Sequence, residues 1–240
     1  MTGAAGDLGS AICRRLAAAG YRVIVNYRSS GEGAREVLAS LSGEGHLLGP
    51  ADVTDSAALG LLAEQITQTY GRLDLLVNNA GFTRFVQHSD LEALDDELID
   101  EIFRVNWRGS FATVRAFAPL LRALGTGVVI NISSIAGTTG EGSNVAYCAS
   151  KAGLDSLTRS LGRALAPSIR VVSVAPGLVQ GPYMQKLESG WSEKQRALTP
   201  LERLSTPSEV AEAVYAAAAH LTFSTGCVIP VDGGRPLGHF

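Results

Sequence analysis

Cysteine is scarce in this chain. Cys13, Cys148 and Cys227 are odd in number and widely spaced, which excludes a disulfide framework and a paired zinc site and fits a reducing compartment. The four histidines, His46, His88, His220 and His239, lack metal-ligand spacing, so no metal is expected. No apolar run approaches the roughly 18 to 20 residues of a membrane span. The first residues also lack the charged-then-apolar order of an export signal. Neither sign of charge dominates: 20 basic and 23 acidic residues give a net charge of -3, no basis for capturing nucleic acid or an anionic membrane. These absences point to a cytoplasmic protein whose partner is a small molecule.

What is present is a core. Of 240 residues, 46% are hydrophobic, enough for a single α/β domain over 1–240. Short β-branched runs alternate with alanine- and leucine-rich stretches, the pattern of a Rossmann-like, doubly wound parallel sheet with helices on both faces. Strands are expected at Arg22–Tyr27, His46–Val53, Leu73–Asn78, Gly127–Ser133, Ile169–Ala175 and Gly226–Val231. Helices are expected at Gly9–Ala19, Gly31–Leu41, Asp55–Tyr70, Asp95–Leu124, Ala146–Leu165 and Pro207–Leu221. The polar stretch from Val179 to Leu204, with Pro182, Tyr183, Met184, Leu187, Trp191 and Pro200, breaks this alternation. It is either a lid over a substrate pocket or an ordered surface excursion.

Gly3, Gly6, Asp7, Leu8 and Gly9 stand directly before the first helix. There small residues let a pyrophosphate approach backbone N–H groups at the positive helix end. A dinucleotide fold places a buried strand before this turn, yet only Met1 and Thr2 precede Gly3. The first strand is therefore expected to be truncated, leaving ladder groups of Arg22–Tyr27 and Leu73–Asn78 without partners. A start codon placed downstream of the native one would account for that.

Tyr147 and Lys151 are four residues apart at the start of a helical stretch, on one helix face. An ammonium about 5 Å from a phenol, at an effective dielectric near 20, favours phenolate by roughly 3 kcal/mol, or about two pKa units. That predicts a phenol brought toward neutral pH, suited to general acid and base work. Ser134 leaves an apolar strand 13 residues earlier, so its hydroxyl can converge on the same carbonyl oxygen. Cys148 points about 100° away around the helix and is expected to pack.

Thr2-Gly3…Gly9, Asn78-Asn79-Ala80-Gly81, Ser134, Tyr147-x-x-x-Lys151, Pro176-Gly177 and Thr225-Gly226 to Gly233-Gly234 occur in that order. In them the chain resembles the short-chain dehydrogenase/reductase family over essentially its whole length, and most of all its 3-oxoacyl-[acyl-carrier-protein] reductase branch. The resemblance implies Tyr147 as acid and base, Ser134 as carbonyl-orienting group, Lys151 on the nicotinamide ribose and Asn106 holding a relay water. It also implies cofactor contacts at Asn79, Ala80 and Gly81, at Asp52 and Val53 beside the adenine, and at Pro176, Gly177 and Val179 beside the nicotinamide. A homo-oligomer, tetramer or dimer, is implied as well. Two departures stand out. Asp7 occupies the family's second glycine position, where it either disfavours the pyrophosphate or caps the helix. Gly181 replaces a threonine that holds the carboxamide.

The second strand ends Val25-Asn26-Tyr27-Arg28-Ser29, with no carboxylate to repel a ribose 2′-phosphate and with Arg28 available to grip one. NADP(H) is thus expected over NAD(H). The substrate is a carbonyl or alcohol: a 3-oxoacyl thioester or related ketone, or alternatively a sugar, polyol or secondary alcohol. From another class comes a catalytically silent cofactor-binding or scaffold protein, which the missing strand and Asp7 would suit.

Overall fold

The computed structural model describes residues 1–181 and 190–237. Within them, β1 (Ile24–Tyr27) pairs in parallel with β2 (Leu47–Pro50), and β3 (Leu75–Asn78), β4 (Gly127–Ile132), β5 (Ile169–Pro176) and β6 (Val228–Val231) form a second parallel ladder in that order. Successive strand residues face opposite layers. Val128, Ile130, Val172 and Val174 pack with Ile12 and Leu16 of α1 (Asp7–Ala18) and Val210 and Val214 of α9 (Pro207–Ala219). Val129, Ile169 and Val171 pack instead with Leu59 and Ile66 of α3 (Ser56–Tyr70) and Phe117 and Leu121 of α5 (Ser110–Arg122). Strands buried on both faces explain why these segments read as unbroken apolar runs. The sheet is doubly wound, as its sequence pattern implies.

Several helix starts are written in single residues. Asp55 Oδ1 accepts from the N–H groups of Ala57 and Ala58 at 2.8 and 3.1 Å, opening α3. Asp95 Oδ1 accepts from Leu98 N at 2.7 Å, opening α4 (Asp96–Phe103). Thr206 and Glu209 form a reciprocal capping box, with Pro207 first in α9. α2 (Gly31–Ala39) and α7 (Val145–Ala164) also lie close to expectation. Two short helices that periodicity does not reveal, α6 (Ala136–Thr139) and α8 (Trp191–Ala197), are each less than two turns of α-helix or barely two.

The stretch Asp95–Leu124 is not the continuous helix its sequence suggests: a π turn over Arg104–Gly109 separates α4 from α5. Its cause lies in the side chain of Asn106, which turns inward to bond the backbone of Phe82. Such bulges cluster at functional sites.

Between β1 and β3 stand Met1 and Thr2. Thr2 N donates to Val77 O at 3.0 Å, Asn26 N to Met1 O at 3.1 Å, and Ala4 N to Asn26 O at 3.0 Å, so two residues bridge the ladders at one end. Behind them a cleft of about 690 Å³ runs between Tyr21–Ile24 and Leu73–Leu75, with Met1 at its inner end. Both strands begin two residues later than expected, because Arg22 and Val23, and Leu73 and Asp74, flank this slot. The α-ammonium of Met1 donates to Ile24 O at 3.2 Å, and burial lowers its pKa.

Of the stretch 179–204, residues 182–189, including Pro182, Tyr183, Met184 and Leu187, lie outside the described residues. On its near side Val179 bridges Ser205, and Gln180 N donates to Ser205 O at 2.8 Å. On its far side Gln195 of α8 takes Arg235 Nη2 on its side-chain oxygen at 2.6 Å, tying α8 to the C-terminal segment.

Candidate active site

The glycine turn ahead of α1 is held by Thr2 and Asn79. Thr2 Oγ1 accepts from the N–H groups of Asn79 and Ala80 at 3.0 Å each, and Asn79 Nδ2 donates to Thr2 O and Gly3 O at 3.1 Å each. Gly3 has φ 60° and lies against Ala80, where a Cβ would come within 3.0 Å of Ala80 Cα. A Cβ on Gly9 would stand 2.2 Å from Gly3 O, so the turn closes onto α1 only with glycine there. Ser10 N donates to Gly6 O at 2.7 Å, while the N–H groups of Asp7 and Leu8 precede the helix's own acceptors. Gly6, not Asp7, is the N-cap, and no side chain caps this end. The capping role considered for Asp7 is thus absent. As first residue of α1, its carboxylate lies on the cleft side, 3.5 Å from where a Cβ of Gly181 would stand. The two departures from the family pattern therefore meet in space.

A cleft of about 540 Å³ runs over this turn toward Arg28, Ser30 and Val53. Asn26, expected among the cofactor-binding residues, lines this cleft but spends its amide elsewhere: Nδ2 donates to Gly49 O at 2.8 Å and Ala51 O at 2.9 Å. It thereby clamps β2 to β1, and a carboxylate at this position would face two carbonyl oxygens. Arg28 is exposed at the rim. Asp52 takes Thr54 N and Thr54 Oγ1 on one oxygen at 2.8 Å each. Partial burial pushes its pKa up, but the Thr54 bonds and the nearby Arg28 and Arg104 outweigh that and hold it below the usual carboxylate value.

A second cleft of about 370 Å³ adjoins the first and shares Leu8, Asn79, Gly81, Phe82 and Val179 with it. Ser134, Tyr147 and Lys151 all line it, with Pro176 and Gly177. Ser134 follows β4, its Oγ accepting from Ala136 N at 3.1 Å, and it lines the same cleft as the Tyr147 phenol. Tyr147 and Lys151 rise from the first two turns of α7, which Asn144 caps: Asn144 Oδ1 accepts from Tyr147 N at 2.7 Å. Asn144 Nδ2 also donates to Arg84 O at 2.7 Å, fixing the loop across the cleft.

Lys151 is 5% exposed and donates from Nζ to Ile132 O at 2.8 Å. Its nitrogen stands 5.7 Å from the centre of the Tyr147 ring. Burial lowers the lysine pKa to about 8 against the opposing pull of Asp155. Tyr147 departs from the expectation of an acidified phenol. Burial raises its pKa above the ordinary value, the Ser134 hydroxyl recovers only part of this, and the ammonium is turned toward Ile132 O instead. The raised phenol keeps its proton, which suits an acid that donates to a carbonyl oxygen.

Asn106 is 1% exposed; its Oδ1 accepts from Phe82 N at 2.7 Å and its Nδ2 donates to Phe82 O and Ser150 Oγ at 3.0 Å each. A Cβ on Gly81 would stand 3.4 Å from Asn106 Oδ1 and 4.0 Å from Lys151 Nζ, so bare backbone separates the two side chains. The amide of Asn106 thus positions the strand exit at Phe82. Asn144 and Asp155 do not stand out in the sequence, and Thr2 enters there only as the first residue of the glycine motif. Asn144, three residues before Tyr147 and directly before a helix, was legible as an N-cap.

A family model described as enoyl-(acyl carrier protein) reductase matches residues 3–235. The chain is 41% identical over 239 residues to ketoacyl reductase 2 of the granaticin polyketide synthase of Streptomyces violaceoruber, covering 99% of this chain and 95% of that protein. It is 35% identical over 242 residues to the 3-oxoacyl-[acyl-carrier-protein] reductase FabG of Thermotoga maritima, covering 98% and 95%. The crystal structure of a short-chain dehydrogenase/reductase from Burkholderia xenovorans superposes with a TM-score of 0.92 at 36% identity, over 99% of this chain and 97% of that one.

Proposed function

The chain belongs to the short-chain dehydrogenase/reductase family, and on that premise we propose that it reduces a 3-oxoacyl thioester or a related ketone with NADPH. The observation that carries this reading is the single cleft shared by Ser134, Tyr147 and Lys151, joined to the glycine turn through Leu8 and Gly81. The close turn at Gly3 and Gly9, where Cβ atoms would collide, fits a dinucleotide pyrophosphate. A bound nicotinamide dinucleotide supplies the hydride.

The protein's own groups do the rest. Ser134 donates to the substrate oxygen and holds it beside Tyr147. Tyr147 delivers its proton to that oxygen as negative charge develops there. Lys151 holds the ribose and, as an ammonium, stabilises the phenolate left behind. Asn106 acts by holding Phe82 and Ser150 in place, next to the lysine. Pro176, Gly177 and Val179 bound the nicotinamide side of the cleft, while Arg28, with Ser29 and Ser30 on the rim, receives the 2′-phosphate. Exposed Phe103, last in α4, and Trp107, in the π turn with Asn106, lie on the side where likeness to the family places association between copies.

The test follows NADPH and NADH absorbance with an acetoacetyl thioester and a panel of ketones and sugars. The wild type is expected to prefer NADPH and the thioester, and Arg28→Ala to lower the NADPH/NADH ratio of kcat/KM by about tenfold, the loss of one charge-assisted contact worth about 1.4 kcal/mol. A ratio unmoved by Arg28→Ala, or turnover confined to sugars, contradicts the assignment.

A further inference from the structure

Beneath this site the protein buries a carboxyl group that the proposed chemistry does not use. Asp155 lies one helical turn beyond Lys151 on α7, is 3% exposed, and its Oδ1 has no hydrogen-bond partner. An orphaned buried carboxylate oxygen is costly, and an apolar side chain would fill the same space without that cost. Packing alone therefore does not explain it.

Its surroundings are polar from three strands. Ser133 of the β4 exit and Ser173 of β5 flank the carboxyl. Ser173 Oγ shares a hydrogen bond with Thr158 Oγ1 at 2.8 Å, Thr158 accepts from Asn131 Nδ2 at 2.8 Å, and Asn131 Oδ1 accepts from Asn78 Nδ2 at 3.0 Å. Ser133 Oγ reaches back to Lys151 O at 3.4 Å. A chain of buried amides and hydroxyls thus crosses β3, β4 and β5 under the site and ends at Ser173, beside Asp155. Titratable or charged groups facing the Lys151–Asp155 pair are Tyr147 and Arg159, both on α7. Among the described residues β4, β5 and the π turn bring neutral groups: Ser133, Ser173 and Asn106. Asp155, four residues on from Lys151 in α7 and buried like it, is then the acidic group on the lysine's side of the helix.

We propose that Asp155 is a positioning residue that keeps Lys151 protonated from behind the active site, and that the buried polar chain holds it there. The proposal rests on the role given to Lys151 above. Burial pushes each group toward its neutral form, the lysine down and the carboxyl up, and each charge opposes that push on the other. Without the carboxylate the ammonium sheds its proton at lower pH. Reduction, which needs the ammonium, then fails earlier on the alkaline side.

The test compares wild type, Asp155→Asn and Asp155→Ala by kcat/KM for ketone reduction between about pH 6 and about pH 10, with thermal melts and NADPH binding by fluorescence at each pH. The alkaline limb is expected to move down by at least about half a pH unit in both variants, a loss that grows with pH to about threefold or more, while both still melt cooperatively and bind NADPH at the acid end. A limb that stays in place in folded variants overturns the proposal. So does failure of both variants to fold at any pH, which makes Asp155 structural. Wild-type turnover by Lys151→Met instead removes the underlying reading of the site.

Discussion

Lys151 is the residue at which function and stability pull apart most directly. Burial lowers its pKa from 10.5 to about 8, so between those values the unfolded chain holds a proton that the folded protein has released. Stability contributed through this group therefore rises with pH over that window, and below it the folded state bears the full cost of a buried ammonium. Replacing both groups, Lys151→Met with Asp155→Asn, is expected to stabilise the protein by on the order of 1–3 kcal/mol near neutral pH, because uncharged side chains replace two buried ionisable groups that make no direct salt bridge. Urea unfolding checks this: the gain should shrink as pH rises from about 8 toward about 10.5, while activity is lost throughout. A gain that grows with pH over that range would mean that the lysine is not the strained group. The pairing of Tyr147 with Lys151 was legible from their spacing. The direction of the tyrosine shift was not, because spacing gives the distance between two groups but neither the depth of burial nor the carbonyl, Ile132 O, that captures the ammonium.

Among the elements, β1 and β3 do not pair with each other, and a slot lies between them. Met1 and Thr2 pair with both neighbours, and beyond them a cleft of about 690 Å³ opens beside Tyr21–Ile24 and Leu73–Leu75. A segment of about five alternating or β-branched apolar residues fused ahead of Met1 would continue the ladder on both sides and move the α-ammonium out of the core. We expect it to raise Tm by at least about 5 °C, equivalent to roughly 2 kcal/mol for a chain of this size. The same extension with proline at alternate positions should give no gain, since it lacks the N–H donors. Equal melting temperatures for both extensions would show that the slot does not accept a strand. That only two residues would stand between β1 and β3 was readable from what precedes Gly3, and most helices from their caps and apolar periodicity. Neither the π turn at Arg104–Gly109 nor the short helix α6 was readable. A contact between Asn106 and Phe82, 24 residues apart, sets the first, and local periodicity carries no trace of such a contact.

Across the whole molecule, the doubly wound sheet brings distant sequence to one edge. The exits of β3, β4 and β5 deliver Asn79 to Gly81, Ser134, and Pro176 with Gly177, and α7 lays Tyr147 and Lys151 across them. The clefts at this edge continue into each other, the arrangement that the proposed hydride and proton transfer to one carbonyl requires. Asp7 and Gly181, far apart in sequence, become neighbours only through this assembly. The most direct measurement is Tyr147→Phe in two assays on the same protein: NADPH affinity by fluorescence titration and NADPH-dependent turnover of an acetoacetyl thioester. Affinity should stay within about threefold of wild type while turnover falls by about a thousandfold, in the range for loss of a positioned general acid. Turnover that survives the missing hydroxyl would contradict the assignment of the proton to Tyr147 and, with it, the account of the site.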